Sequence, residues 1–182
     1  MAITVKTEQI YLQRLGLYCD LIDGKAGDKT KAARKAVQKK AGLKQTGNKT
    51  SAYEQALKQQ YAKRDKNMLS KHFKKSEFKC GCRGRYCNGY PGTPSPKLIG
   101  ILEKLRTTYG KPVIITSGMR CKKYNNSLVG SVPNSAHRYG KAADIYIPGV
   151  ALAKIKAMAY ACGAAYSYYG TSNMGNAVHI NV

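Results

Sequence analysis

The chain has 182 residues, 43% of them hydrophobic, and a net charge of +23 from 32 Lys plus Arg against 9 Asp plus Glu. That size allows one ordinary domain or two small ones and excludes a disordered polyelectrolyte; no apolar run reaches the ~18 residues of a membrane-crossing helix, and residues 1–15 lack the pattern of a signal peptide. The charge calls for polyanions, nucleic acid foremost and anionic wall polymers such as teichoic acid besides, without choosing between them.

In chain order, Ile10, Leu12, Leu15 and Leu17 repeat at helical spacing and predict a helix over 9–17. Asp23-Gly24 marks a turn. Asp28 is placed to cap a second helix whose apolar stripe is Ala32, Ala33, Ala36, Val37 and Ala41, ended by a left-handed Gly42 with Leu43 folding back. A third helix is predicted over 51–61. The polar run 62–67 reads as a linker, dividing the chain into parts 1–64 and 68–182. The second part opens with a short capped helix over 70–78 and an irregular Cys-, Gly- and Pro-rich loop over 79–96. An amphipathic helix follows over 96–109, then a buried β-branched strand over 112–116, a strand over 143–147, a helix over 150–162, and closing strands over 166–169 and 177–182. Helices mixed with short strands, without βαβ alternation, indicate an α+β class.

Leu12-Gln13-Arg14-Leu15-Gly16-Leu17, Ile22-Asp23-Gly24, Gly27-Asp28-Lys29-Thr30, Val37-Gln38 and Gly42-Leu43 together resemble the small three-helix peptidoglycan-binding domain over residues 5–62. Val37 stands where that family usually has an aromatic residue. The resemblance implies binding to cell wall. Several of these residues also serve a tight turn between packed helices.

Cys80, Cys82 and Cys87 cluster in the loop, and Cys121 supplies a fourth metal ligand if the fold brings it near. Free thiols and disulfides remain open alternatives.

The densest chemistry lies further on. The chain has three histidines, and two fall in the segments Ser135-Ala136-His137-Arg138-Tyr139-Gly140 and Val178-His179-Ile180. His137 and Asp144 flank a glycine turn, and His179 lies in a terminal strand. Two imidazoles and one carboxylate leave a fourth position for water, the make-up of a catalytic zinc site; a hydrogen-bonded His–Asp pair is the plainer alternative. The pattern S-x-H-x-x-G-x-A-x-D with a later V-H-I is similar to the M15 metallopeptidases, the D-Ala-D-Ala carboxypeptidase family with a hedgehog-type domain. Ser117-Gly118-Met119-Arg120-Cys121 and the opening Ser70-Lys71-His72-Phe73 with Glu77-Phe78 match its nearest subgroup. This resemblance spans residues 68–182. It implies a small antiparallel sheet, zinc held by His137, Asp144 and His179, and Arg120 beside the metal, where it can hold a carboxylate or an oxyanion. Ser135, Tyr139 and Tyr169 are candidates for substrate binding, and His72 reads as structural.

One part of the family pattern is missing. Relatives carry an acid three residues before the last ligand, or a histidine two before it; here those positions are Asn176 and Ala177, neither of which takes a proton near neutral pH. From residue 67 onward the only carboxylates are Glu77, Glu103 and Asp144. Asp144 is a ligand, and Glu103 is expected to face water or a salt bridge, so Glu77 is the candidate base by elimination. The expected function is therefore zinc-dependent hydrolysis of amide bonds in peptidoglycan stem peptides, as a carboxypeptidase or an endopeptidase. The expected partners are peptidoglycan and anionic wall polymers rather than nucleic acid, and the expected state is a monomer. The expected location is the cell wall, or the host cytoplasm until lysis for a phage endolysin. The alternative is a wall-binding protein with a degenerate peptidase domain.

Overall fold

Two threonines start two of the first three helices. The Thr4 hydroxyl accepts from the Thr7 amide at 3.1 Å, and the Thr50 hydroxyl from the Tyr53 amide at 3.2 Å, each satisfying a donor that a helix start leaves free. In the computed structural model, which describes residues 2–171 and 174–182, these helices are α1 (Val5–Arg14), α2 (Asp28–Lys40) and α3 (Ser51–Ala62). They enclose a core of Leu12, Val37, Tyr53 and Leu57, all fully buried. The residue capping α2 is Gly27, in extended conformation. Asp28 is thus the first helical residue, not the cap, and its carboxylate sits at the positive end of the helix dipole. Gly42 is left-handed, and the Leu43 amide returns to the Gln38 carbonyl at 2.9 Å, as expected for a glycine-terminated helix.

Two glutamines, Gln9 and Gln38, act as staples. Gln9 accepts from the Gly24 amide and donates to Asp23 Oδ1 and the Lys25 carbonyl. Gln38 accepts from the Gly47 amide and donates to the Asn48 carbonyl. Beneath them the Glu8 carboxylate, fully buried, takes two parallel bonds of 2.8 Å from the Arg34 guanidinium.

The expected helix over 70–78 is absent. Met68 and Lys74 form an antiparallel bridge, followed by one 3₁₀ turn, Lys75–Phe78. Phe73 and Phe78, five residues apart, are both fully buried and meet edge to face at 6.3 Å. One helix face does not present residues at that spacing, so the chain bends to bury both. α4 (Pro96–Tyr109) has the expected bounds, with proline in its first turn and a left-handed Gly110 at its end.

The remaining elements are β1 (Ile114–Ser117), α5 (Lys122–Asn126), a 3₁₀ turn Ala136–Tyr139, β2 (Ala142–Tyr146), α6 (Leu152–Ala161), β3 (Tyr166–Tyr169) and β4 (Val178–Asn181). The strands form one antiparallel sheet in the order β1-β2-β4-β3. β1 was expected to be buried; it lies at the sheet edge and alternates exposed with half-buried residues, because only its inner side has a partner strand. Ala143, Ile145, Val178 and Ile180 point into a core shared with Leu98, Leu102, Leu105, Ile155 and Ala159 of α4 and α6. The residues between them, Asp144 and His179, therefore face the other side.

α1 lies against α4. The buried Arg14 guanidinium donates to the carbonyls of Leu69 at 3.3 Å and Pro94 at 3.0 Å, and Gln13 donates to the Pro96 carbonyl. Gly100 of α4 sits where a Cβ would stand 3.1 Å from the Asp20 carbonyl, so a side chain there would push the two parts away from each other.

Candidate metal centre

Strand register builds one row across the sheet. Ser117 pairs with Asp144, Asp144 with His179, and His179 with Tyr168, so four side chains from β1, β2, β4 and β3 share one face. The row needs a bulge. Ile115 pairs with Ile145, yet Ser117, two residues on, pairs with Asp144; Thr116 is the extra residue, and its hydroxyl bonds the Asp144 carbonyl at 3.0 Å.

His137 enters from the 3₁₀ turn Ala136–Tyr139. A left-handed Gly140 ends that turn, packed so closely that a Cβ would come within 2.6 Å of the Thr93 carbonyl. His137 Nδ1 lies 2.7 Å from the Gly118 carbonyl. A carbonyl only accepts, so Nδ1 carries the hydrogen and Nε2 presents its lone pair. That Nε2 lies 3.2 Å from His179 Nδ1 and 3.3 Å from Asp144 Oδ1, which is itself 2.8 Å from His179 Nδ1. All three side chains are nearly removed from solvent.

This donor set fits zinc. Ligand atoms placed tetrahedrally at the usual Zn–N and Zn–O lengths stand ~3.3 Å apart; the separations of His137 Nε2 from the other two atoms match that, and the 2.8 Å between Asp144 Oδ1 and His179 Nδ1 is shorter. The outer contacts are those a metal site uses to aim its ligands. Asp144 turns Oδ1 to the histidines and gives Oδ2 to Arg120 Nη2 at 2.9 Å. Arg120 is itself held by Ser117 Oγ at 3.0 and 3.2 Å. Ser167 Oγ donates to the His179 carbonyl at 2.7 Å. Burial opposes ionisation of Asp144, but the two imidazoles it faces, His137 and His179, outweigh burial and hold the carboxyl well below the usual carboxylate range.

Gly118 leaves no room for a side chain unless the backbone at Phe78 shifts. A Cβ there would lie 2.4 Å from Phe78 Cα, while the Met119 amide donates to the Phe78 carbonyl at 2.9 Å. A cleft of about 520 Å³ opens beside the row, walled by Arg120, Leu128, Asp144, Tyr168 and Met174, with a second of about 290 Å³ adjoining it.

The other expected site residues are placed differently. Ser135 caps the His137 turn, its carbonyl accepting from the Arg138 amide at 3.0 Å. Tyr139 is half exposed, with the Arg138 guanidinium over its ring. Tyr169 lies beneath Lys156 on the side of β3 opposite Tyr168. The tyrosine that meets the site is Tyr168, stacked on His179 at 4.7 Å. Strand alternation separates 168 from 169, but only the β3–β4 register says which of the two faces the ligands. Glu77 is exposed and accepts from the Lys74 amide at 2.6 Å, closing its own 3₁₀ turn. Glu103 does not face water: it is fully buried and holds His72 through both the ring and the backbone amide. Asn176 and Ala177 lie together in a small cleft with Thr116 and Tyr146.

Comparison with known proteins agrees with this geometry. The family profile described as Peptidase M15 matches residues 71–181, and the one described as a putative peptidoglycan binding domain matches residues 4–57. No curated protein matches the chain.

Proposed function

The chain belongs to the M15 peptidase family and carries a peptidoglycan-binding domain ahead of its peptidase domain, and on that premise we propose that it hydrolyses amide bonds in the stem peptides of peptidoglycan with zinc as cofactor. In this reading the two domains are residues 1–64 and 68–182, and the first holds the second against the wall. The observation that carries the proposal is the convergence of His137 Nε2, Asp144 Oδ1 and His179 Nδ1 beside an open cleft. These three residues would hold the zinc. When bound, zinc polarises the scissile carbonyl and lowers the pKa of water toward neutrality.

The protein's own groups divide the remaining work. Arg120 borders the cleft while gripping Asp144 Oδ2, so one guanidinium aims a ligand and offers further N–H groups to a substrate carboxylate or a developing oxyanion. Tyr168 gives the cleft an aromatic wall against His179, while Ser135 and Tyr139 flank the His137 turn and Tyr169 the outer side of β3. Glu77 is the one carboxylate of this part that is neither a ligand nor sealed in the core. To act as a base it must release the Lys74 amide.

Other polyanions are less suited than wall polymers to a chain with a peptidoglycan-binding domain, so the charge is read as adhesion to an anionic wall and the protein as a monomeric lytic enzyme working there, endolysin-like if phage-encoded. No helix among the described residues is long and apolar enough to cross a membrane. A second reading, a wall-binding protein without catalysis, draws on Asn176 and Ala177 in the positions where relatives carry an acid or a histidine.

One measurement separates the two: metal content together with the release of new amino and carboxyl ends from purified peptidoglycan, for the wild type and His137→Ala. Zinc with cleavage that disappears in the variant is the expected result, and the new ends identify the bond. Zinc without cleavage on any wall type would favour the binding protein, and a wild type that takes up no metal would remove both zinc and the ligand assignment.

A further inference from the structure

A second cluster of metal-ligating side chains lies outside this centre. The sulfurs of Cys80, Cys82, Cys87 and Cys121 all lie within 4.8 Å of one another. We infer that these four cysteines hold a structural zinc ion, separate from the one at His137, Asp144 and His179.

Mutual proximity of all four sulfurs is the first argument. Two disulfides would need only two close pairs, whereas four sulfurs gathered around one point need a centre. Four thiolates at the usual Zn–S length stand ~3.8 Å apart, and Cys82 and Cys87 are separated by 3.5 Å. All four are free thiols, Cys80 and Cys82 buried and the other two half-buried. An all-sulfur tetrahedral set suits zinc or iron, and zinc needs no redox partner to stay bound as a structural ion.

Backbone amides point at the sulfurs. The Cys121 amide donates to Cys80 Sγ at 3.3 Å and the Gly89 amide to Cys87 Sγ at 3.4 Å. Such N–H groups stabilise the thiolate form a metal requires. Lys79, Arg83, Arg85, Lys122 and Lys123 flank the cysteines in sequence, which suits the double negative charge of a zinc ion bound by four thiolates.

The loop that carries three of the ligands has no regular element to hold it. Between the turn ending at Phe78 and the start of α4 there is neither helix nor strand. Within it Arg83, at φ 51°, is the one non-glycine residue with a left-handed backbone among the described residues, and Gly84 and Gly89 are left-handed as well. Conformations of this kind persist where their surroundings enforce them; a four-point clamp would do so.

Position gives the clamp its role. Cys121 directly follows Arg120, the residue gripping Asp144, and Cys80 lies two residues after Phe78, against which Gly118 packs. A metal bound here ties the loop to the segment that orients both His137 and Asp144. It acts on catalysis only by positioning.

The test is metal analysis of the whole chain, purified under reducing conditions without chelator. Two zinc ions per chain are expected, with one remaining in His137→Ala. The doubly substituted Cys82→Ser, Cys87→Ser protein should also retain one, and should melt at lower temperature. Should that variant fail to fold, cobalt replacement in His137→Ala reads the same site: an intense near-ultraviolet sulfur-to-cobalt charge-transfer band is expected. Absence of that band, or a second zinc that survives in the folded cysteine variant, would overturn the inference, as would a mass showing the cysteines paired as disulfides in metal-free, folded protein.

Discussion

At the scale of single residues, the centre depends on groups outside the cluster of His137, Asp144 and His179. Gly118 supplies the carbonyl that fixes the His137 tautomer and has no room for a side chain against Phe78. Gly118→Ala is expected to leave the helical content intact, to cost ~1–3 kcal/mol of stability through overpacking, and to weaken zinc binding ~10–100-fold. Circular dichroism and competition with a chelator of known affinity measure both. Zinc affinity within twofold of the wild type would show that the carbonyl does not orient the ligand. The gathering of His137, Asp144 and His179 was legible in the sequence through the resemblance to the M15 pattern around Gly140, while the residues alone left a plain His–Asp pair open. Tyr168 was not, since neighbours across a sheet depend on register rather than on local order.

At the scale of elements, legibility followed local punctuation. α4 carries proline at its start and glycine just past its end, so its bounds could be read directly. Segment 70–78 carries a start signal, Ser70, that misleads: burial of both Phe73 and Phe78 decided its path instead. The edge position of β1 was equally hidden, because a β-branched run looks the same in the middle of a sheet as at its rim. One carboxylate, Asp20, contacts an element of each part. Asp20 contacts Lys29 of α2 and stands 3.4 Å from Lys104 of α4. Burial raises its pKa, but the Lys29 bond, the Leu21 amide and Lys104 outweigh burial, and the net shift is downward. A carboxyl held below its unfolded value stabilises the fold above that value, about 3.9, and loses the contribution as pH falls through the folded one. Asp20→Asn should therefore lower stability by about 0.5–1 kcal/mol at pH 6, with the difference closing below roughly pH 4. Melting curves of both proteins across that range test the sign. A gap that widens on acidification would contradict it.

At the scale of the whole molecule, two cores meet across a polar seam. The sequence offers a polar run over 62–67 that reads as a linker, but nothing in it marks the seam, because Arg14 and Gln13 read equally well as surface residues of an amphipathic helix. Charge also acts at this scale. With +23 distributed over both parts, adhesion to an anionic wall should fall steeply as ionic strength rises and the Debye length shrinks from about 10 Å toward 3 Å. Pull-down on sacculi with and without their anionic polymers, at 0.05–0.5 M salt (on the order of the range in which screening changes most), would show it. Retention that ignores both salt and polymer removal would assign adhesion to the peptidoglycan-binding domain alone.

The Arg14 contact has a further consequence. Its guanidinium closes on the Leu69 and Pro94 carbonyls in a buried setting, so the three-helix part is fastened directly to the backbone of the part that carries the sheet, and the polar run between them is not their only connection. A hydrolase on a slack tether sweeps every bond within a sphere. One bolted to its foothold cuts at a set offset from it, and advances only by letting go and gripping afresh.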